Sequence, residues 1–135
     1  MKITLLCDTP DSYIHDYIEE IKKLIKKKKY KVKFITHKSK ISKGDILFLL
    51  ACSSILSEKD LLKNKKNIVI HPSKLPKNKG SAALIWSILK GKKKIYLTMF
   101  EASPKIDSGN IYYQSFFKLK GNELSDEIRF LQAKT

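Results

Sequence analysis

An α/β fold, with a mostly parallel sheet covered by helices on both faces, is what this chain of 135 residues predicts. Three observations carry the expectation. Apolar runs of strand length alternate with stretches of helical period in the order strand, helix, strand, strand, helix, strand. The run Asp45-Ile46-Leu47-Phe48-Leu49-Leu50 is almost unbroken in hydrophobicity, as befits a strand buried on both faces. Ile14, Tyr17, Ile18, Ile21, Leu24 and Ile25 recur at the 3.6-residue period of a helix with one apolar face.

Taken in order, residues 2 to 7 form a buried strand, and Asp11 or Ser12 caps the helix that follows. Lys31-Val32-Lys33-Phe34-Ile35 alternates polar and apolar side chains and suits a half-covered edge strand. Gly44 marks the entry to the central run at 45–50, Ser57 to Lys63 make a short helix, and residues 67 to 71 a further strand. Ser81 opens a helix over Ala82 to Lys90 that Gly91 closes, with Trp86 expected in the core. Lys94 to Phe100 and Ile111 to Leu119 are strands, the second with Tyr112, Tyr113, Phe116 and Phe117 on both of its faces. A final helix over Glu123 to Lys134 places Leu124, Ile128 and Leu131 on one face.

Hydrophobic residues make up 42% of the chain, which excludes a disordered polypeptide, and no apolar run approaches the roughly 20 residues of a membrane helix. The opening residues, Met1 to Asp8, reach an acid too soon for a signal peptide, so a soluble, cytoplasmic protein of one domain over 1–135 is expected. Cys7 and Cys52 each follow an apolar run and read as plain buried thiols. His15 and His37 have no partners at metal-ligand spacing, and no metal is expected. A formal charge of +15 invites a nucleic-acid reading, but Arg129 is the only arginine among the basic residues. A solvated, lysine-rich surface explains the charge better than a specific nucleic-acid site.

The chemistry lies in His71-Pro72-Ser73-Lys74-Leu75-Pro76-Lys77-Asn78-Lys79-Gly80 and, 27 residues beyond that glycine, in Asp107-Ser108-Gly109. An imidazole at the end of the strand Asn67-Ile68-Val69-Ile70 enters a turn stiffened by two prolines. The stretch HPSKLPKNKGSAALIWSILKGKKKIYLTMFEASPKIDSGNIYYQ resembles the core of the folate-dependent formyltransferases, which act on glycinamide ribonucleotide, methionyl-tRNA or nucleotide-linked amino sugars. The similarity extends upstream through Gly44 to Leu50 and Ser54-Ile55-Leu56, and downstream to Glu123-Leu124 and Asp126 to Arg129.

The resemblance implies the Rossmann-like formyltransferase fold, in a domain whose carboxyl-terminal part is missing here. It implies a primary amine attacking the formyl carbon of 10-formyltetrahydrofolate, with His71 meeting the developing oxyanion or taking the amine proton and Asp107 setting its charge. By position, Ser53, Ser54, Ile55 and Leu56 with Ser103, Pro104, Lys105 and Ile106 flank the folate. Ser73 and Lys77 would meet the acceptor. The family places an asparagine two residues before the histidine; here Val69 stands there, and Asn67 lies about 7 Å further back on the same strand face. Loss of one oxyanion donor costs about 10² to 10³ in rate, which permits slow catalysis; either another donor has taken over or the protein is weak or inactive.

Plainer readings stand beside these. A strand-end histidine also serves as a structural group, Asp-Ser-Gly-Asn is good turn chemistry in any protein, Ile55 and Leu56 suit an ordinary core, and isolated lysines are usually solvated. The expected acceptor is a small-molecule amine of a nucleotide sugar. The alternatives are a methionyl-tRNA formyltransferase fragment and a non-catalytic folate-binding remnant. The apolar face of the last helix and the aromatics at 112–117 lead us to expect self-association, a possible homo-oligomer without membrane contact.

Overall fold

The computed structural model describes residues 1–135. Its strands are β1 (Lys2–Leu6), β2 (Lys31–Ile35), β3 (Gly44–Leu50), β4 (Asn64–His71), β5 (Lys94–Glu101) and β6 (Ile111–Lys118). The helices are α1 (Ile14–Lys27), α2 (Glu58–Leu61), α3 (Ala83–Leu89) and α4 (Ser125–Lys134). One sheet runs in the order β2-β1-β3-β4-β5-β6. β1 to β4 are parallel, and β5 and β6 add antiparallel neighbours at one side. The alternating strand at 31–35 is indeed an edge.

Side-chain alternation builds two cores from single strands. Leu5 and Leu50 join Ile14 and Ile18 of α1 in one cluster, whereas Leu6, Leu47 and Leu49 join Ile41 and Leu56 in another. Adjacent residues of β1 and β3 thus supply opposite faces, which is why the run at 45–50 has so little polar interruption. A third cluster, under α4, gathers Leu84, Ile95, Phe117 and Leu119 with Ile128 and Leu131.

The connection from β1 runs outward to β2, and the chain then returns past β1 to β3. That reversal opens a crevice beyond the carboxyl ends of the strands, where an open sheet of this kind holds its ligands. No helix is long and apolar enough to cross a membrane.

Several local expectations need correction. Trp86 is 58% exposed instead of buried, because α3 turns only Ala83, Leu84 and Ser87 inward and a residue two positions from Leu84 points nearly the opposite way. Ser81 does not cap α3; Ala82 holds that place in a left-handed conformation with no side-chain cap. At α1 the cap position falls on Tyr13, with the Ser12 hydroxyl accepting from the Ile14 N–H at 3.3 Å and Asp11 not involved. β4 begins three residues earlier than its apolar pattern, since Asn64 to Lys66 pair with β3 despite their polarity. Leu124 lies before α4 and is 69% exposed, so only Ile128 and Leu131 of the expected stripe reach the core.

Candidate active site

β4 ends at His71 on the carboxyl edge of the parallel strands, and the following loop turns back beside it. His71 Nε2 lies 3.3 Å from the Asn78 carbonyl oxygen and 3.6 Å from Asp107 Oδ2. Both side chains are mostly buried, at 13% and 12% exposure, yet both line an open cleft of about 610 Å³. The Nε2 atom faces two acceptors, which places the proton there, and Nδ1 bonds to no group of the chain.

Asp107 is fixed from two directions. Its Oδ2 accepts the Gly80 N–H at 2.7 Å, tying the loop after β5 to the loop after β4. Lys79 Nζ donates to Ser108 Oγ at 2.9 Å alongside. Gly109, two residues on, runs so close to the Glu101 backbone that a Cβ would collide with its carbonyl group. The glycine of the Asp-Ser-Gly turn is therefore demanded by close backbone approach, and the aspartate is set by that turn. Asp107 itself has φ +48, and Ala51, Asn78 and Ala82 nearby also occupy the left-handed region. Such backbone strain is concentrated where ligand sites are found.

The other wall comes from the loop after β3. Asp8, just past β1, accepts the Ser53 N–H at 2.7 Å and the Ser54 N–H at 3.0 Å with its two carboxylate oxygens. Burial opposes its charge, but the hydrogen bonds from Ser54 and Ser53 win, and the carboxyl is held below its usual value. This clasp joins the two loops that flank the topological reversal. Burial, with the nearby Asp8 charge, pushes the adjacent Cys52 thiol up to about 12, so it stays protonated.

Ser53, Ser54, Ile55, Leu56, Ser103 and Ile106 line the cleft with His71 and Asp107. Pro104 and Lys105 lie outside its lining. Ser73 and Lys77 also lie elsewhere, on a smaller hollow. Ser73 is buried; its hydroxyl donates to the Lys77 carbonyl and its own carbonyl accepts from Thr98 Oγ1, so it holds the loop together. Val69 packs against the second core cluster and supplies an apolar wall. Asn67 does not replace the absent amide. The β3–β4 register is unbroken from Gly44 to Leu50, and Asn67 Nδ2 is committed to the Leu61 carbonyl at 2.9 Å.

Sequence reasoning missed Asp8 and Arg129. Arg129, on α4, reaches the cleft while lying 5.1 Å from the Tyr13 ring centroid and donating to Gln132. For Asp8 the signal was present, an acid directly after an apolar strand, but its partners are 45 and 46 residues away.

An open parallel sheet with a histidine and an aspartate meeting across a cleft at its carboxyl edge defines a small-molecule site of the doubly wound α/β class. The chain belongs to the formyl transferase family, whose model matches residues 12–130. It is 35% identical over 99 residues to the bifunctional polymyxin resistance protein ArnA of Wigglesworthia glossinidia brevipalpis, covering 72% of this chain and 15% of that protein. It is 45% identical over 58 residues to a methionyl-tRNA formyltransferase of Mycoplasma genitalium, covering 43% of this chain and 18% of that one. Among solved structures, a methionyl-tRNA formyltransferase from Clostridium thermocellum matches with a TM-score of 0.80 at 20% identity, over 99% of this chain and 60% of that one. HypX from Aquifex aeolicus in complex with tetrahydrofolic acid matches with a TM-score of 0.70 at 23% identity, over 89% of this chain and 22% of that one. At these identities the two structures share the fold. The matched segments thus span less than a fifth of either curated relative's length.

Proposed function

We propose that this domain transfers the formyl group of 10-formyltetrahydrofolate to a primary amine, and that the acceptor is a nucleotide-linked amino sugar. The observation that carries the reading is the His71–Asp107 pair, 3.6 Å apart in a cleft whose other walls are largely apolar. The cleft fits the donor in kind: Ile55, Val69 and Ile106 offer apolar surface for a flat ring system beside polar groups such as His71, Asp107 and Ser103. When bound, the folate supplies an activated formyl group. Asp107 and the Asn78 carbonyl hold the His71 proton on Nε2, leaving Nδ1 as the free nitrogen to take the proton of the attacking amine. A volume of about 610 Å³ suits a small acceptor alongside part of the donor. Lys79, bonded to Ser108 beside the pair, adds positive charge where a phosphate-bearing acceptor would approach.

The test measures 10-formyltetrahydrofolate consumption against a panel of nucleotide-linked amino sugars. His71→Ala should lower turnover by roughly 10²- to 10⁴-fold with the fold intact. Full activity in a folded His71→Ala variant would remove the catalytic reading. Val69→Asn should raise turnover, since an amide there faces the same side of the sheet as His71. Unchanged turnover would mean that another donor serves the oxyanion.

A second reading has its own support. The methionyl-tRNA formyltransferase similarity is the higher in identity, and the charge of +15 favours a polyanionic substrate. Transfer to methionyl-tRNA that persists at about 0.15 M salt, with none to amino sugars, would establish it in place of the first.

A further inference from the structure

On the far side of the loop from His71 lies a second hollow, of about 220 Å³, that shares no lining residue with the cleft. Lys74, Lys77, Lys92 and Lys94 converge on it together with Ser87 and Tyr96. No carboxylate lines it, and none of the four lysines belongs to an ion pair. The ammonium groups of Lys74 and Lys94 sit 4.8 and 5.2 Å from the centroid of the same Tyr96 ring. Ser87 is 7% exposed, and its hydroxyl, free of hydrogen bonds within the chain, is reached by solvent through the hollow.

A surface rich in lysine would produce basic hollows by chance, and the chain holds a useful control. Lys2, Lys29, Lys31 and Lys43 line another groove, but Asp45 lines it too. That carboxylate accepts from Lys65 Nζ and from the Lys2 N–H, both at 2.7 Å, and Lys65 above all keeps it below its ordinary value. The first groove thus holds a carboxylate, engaged by Lys65 and the Lys2 backbone; the second holds none.

We propose that the hollow at Lys74, Lys77, Lys92 and Lys94 binds a phosphate or diphosphate group, with the Ser87 hydroxyl donating to one of its oxygens. Four ammonium groups match a group carrying two or more negative charges better than a single carboxylate, and lysines hold phosphate as point charges without needing a planar partner. The same charges act on Tyr96, whose phenol is held below its ordinary value first by Lys94 and also by Lys74. The phosphate could belong to the amine acceptor, a source that rests on the formyl-transfer reading, or to a separate small phosphoanion, which does not.

Inorganic pyrophosphate titrated calorimetrically into the full chain at about 0.15 M salt should bind saturably at one site. The Lys74→Gln/Lys94→Gln pair should weaken it roughly tenfold or more, and Ser87→Ala severalfold. The control pair Lys2→Gln/Lys31→Gln should leave it unchanged. No saturable binding, or equal weakening by the control pair, would overturn the site. Tighter binding of a single-stranded RNA oligomer, lost in the same lysine pair, would overturn its assignment to a small phosphoanion. Pyrophosphate binding needs no catalysis, so it stands or falls separately from formyl transfer. Within the transfer assay, a raised acceptor KM at constant kcat in the Lys74/Lys94 pair assigns the phosphate to the acceptor, and an unchanged KM to a separate ligand.

Discussion

In the parallel half of the sheet, Leu5, Leu6 and Leu47 are 2%, 0% and 0% exposed, with α1 over one face and the residues around α2 over the other. In the antiparallel pair, Tyr112, Tyr113 and Phe116 of β6 show 43%, 60% and 44% of their surface to solvent. Lysine lies over two of these exposed rings, while Ile95, Phe100 and Phe117 of the same pair are buried. The Lys66 ammonium lies over the Tyr112 ring at 5.5 Å and that of Lys94 over Phe116 at 3.8 Å, placing charge on the aromatic faces. The candidate site sits where the two regions meet. His71 ends the last parallel strand and the loops after β1 and β3 close part of the cleft, while the loop after β5 brings Asp107 from the antiparallel pair. The phosphate hollow draws on Lys94 and Tyr96 at the start of β5, where exposed lysines gather beside a strand whose Ile95 and Leu97 are buried.

The sharpest way to break this comparison is to truncate one leucine in the parallel half and one in α3, the helix that leads to the antiparallel pair. Leu47→Ala removes a fully buried side chain from the middle of β3 and should cost about 2 to 5 kcal/mol. Leu89→Ala, at the end of α3, removes a side chain that is 70% exposed and should change stability by no more than about 0.5 kcal/mol. Urea midpoints of the two variants decide it. Similar losses would mean that the exposed face of α3 is covered in solution.

Gly109→Ala tests the joint between strand and site. The added methyl meets the Glu101 backbone, and overpacking of this kind costs about 1 to 3 kcal/mol. The loop must shift to relieve it, carrying Asp107 away from Gly80 and His71. Turnover should therefore fall at temperatures where the variant is still folded by circular dichroism. A variant with normal activity would show that Asp107 is placed by the Gly80 bond alone.

How much of this was legible follows from where the signals lie along the chain. The strands at 2–6, 31–35 and 45–50 were readable because each is one short run whose pattern reports its own burial. α3 was not, because Ala83-Leu84-Ile85-Trp86-Ser87-Ile88-Leu89 is apolar nearly all round and its period cannot say which side faces the core. His71 and Asp107 could be singled out by the motifs that carry them. The roles of Ser73 and Lys77 could not, since a turn places neighbouring side chains on opposite sides and only the folded loop shows which enter the cleft. Asp8 depends on a meeting of two loops that no local pattern encodes.

That clasp predicts a dependence on pH. The Asp8 carboxyl is held below its ordinary value in the folded chain, so its contribution to stability is full above the unfolded pKa of about 4 and fades as pH falls through the lower folded value. Asp8→Asn removes the charge that accepts two backbone N–H groups and should cost on the order of 1 kcal/mol at pH 7. The gap between variant and parent should close as the solution is acidified below pH of about 4. Thermal melts at pH 7 and near pH 3 measure it; a gap that stays constant would show that the carboxylate contributes through shape and not charge.

The smallest effect is also the most discriminating in sign. Ala82 and Ala83 are neighbours at the start of α3, the helix that links the parallel half to β5. Ala82 has φ +56, a conformation in which a Cβ crowds the following carbonyl group, and it makes no side-chain cap. Ala83 is helical and 5% exposed. Glycine at 82 relieves the crowding and should stabilise the chain by a few tenths to about 1 kcal/mol, even after the extra freedom it gives the unfolded state. Glycine at 83 has no strain to relieve and loses a buried methyl, so it should destabilise by about 1 kcal/mol or more. Two substitutions of identical chemistry, one residue apart, are thus expected to move the melting temperature in opposite directions. Shifts of the same sign would mean that the helix begins elsewhere in solution, and with it the path by which the chain leaves the His71 cleft.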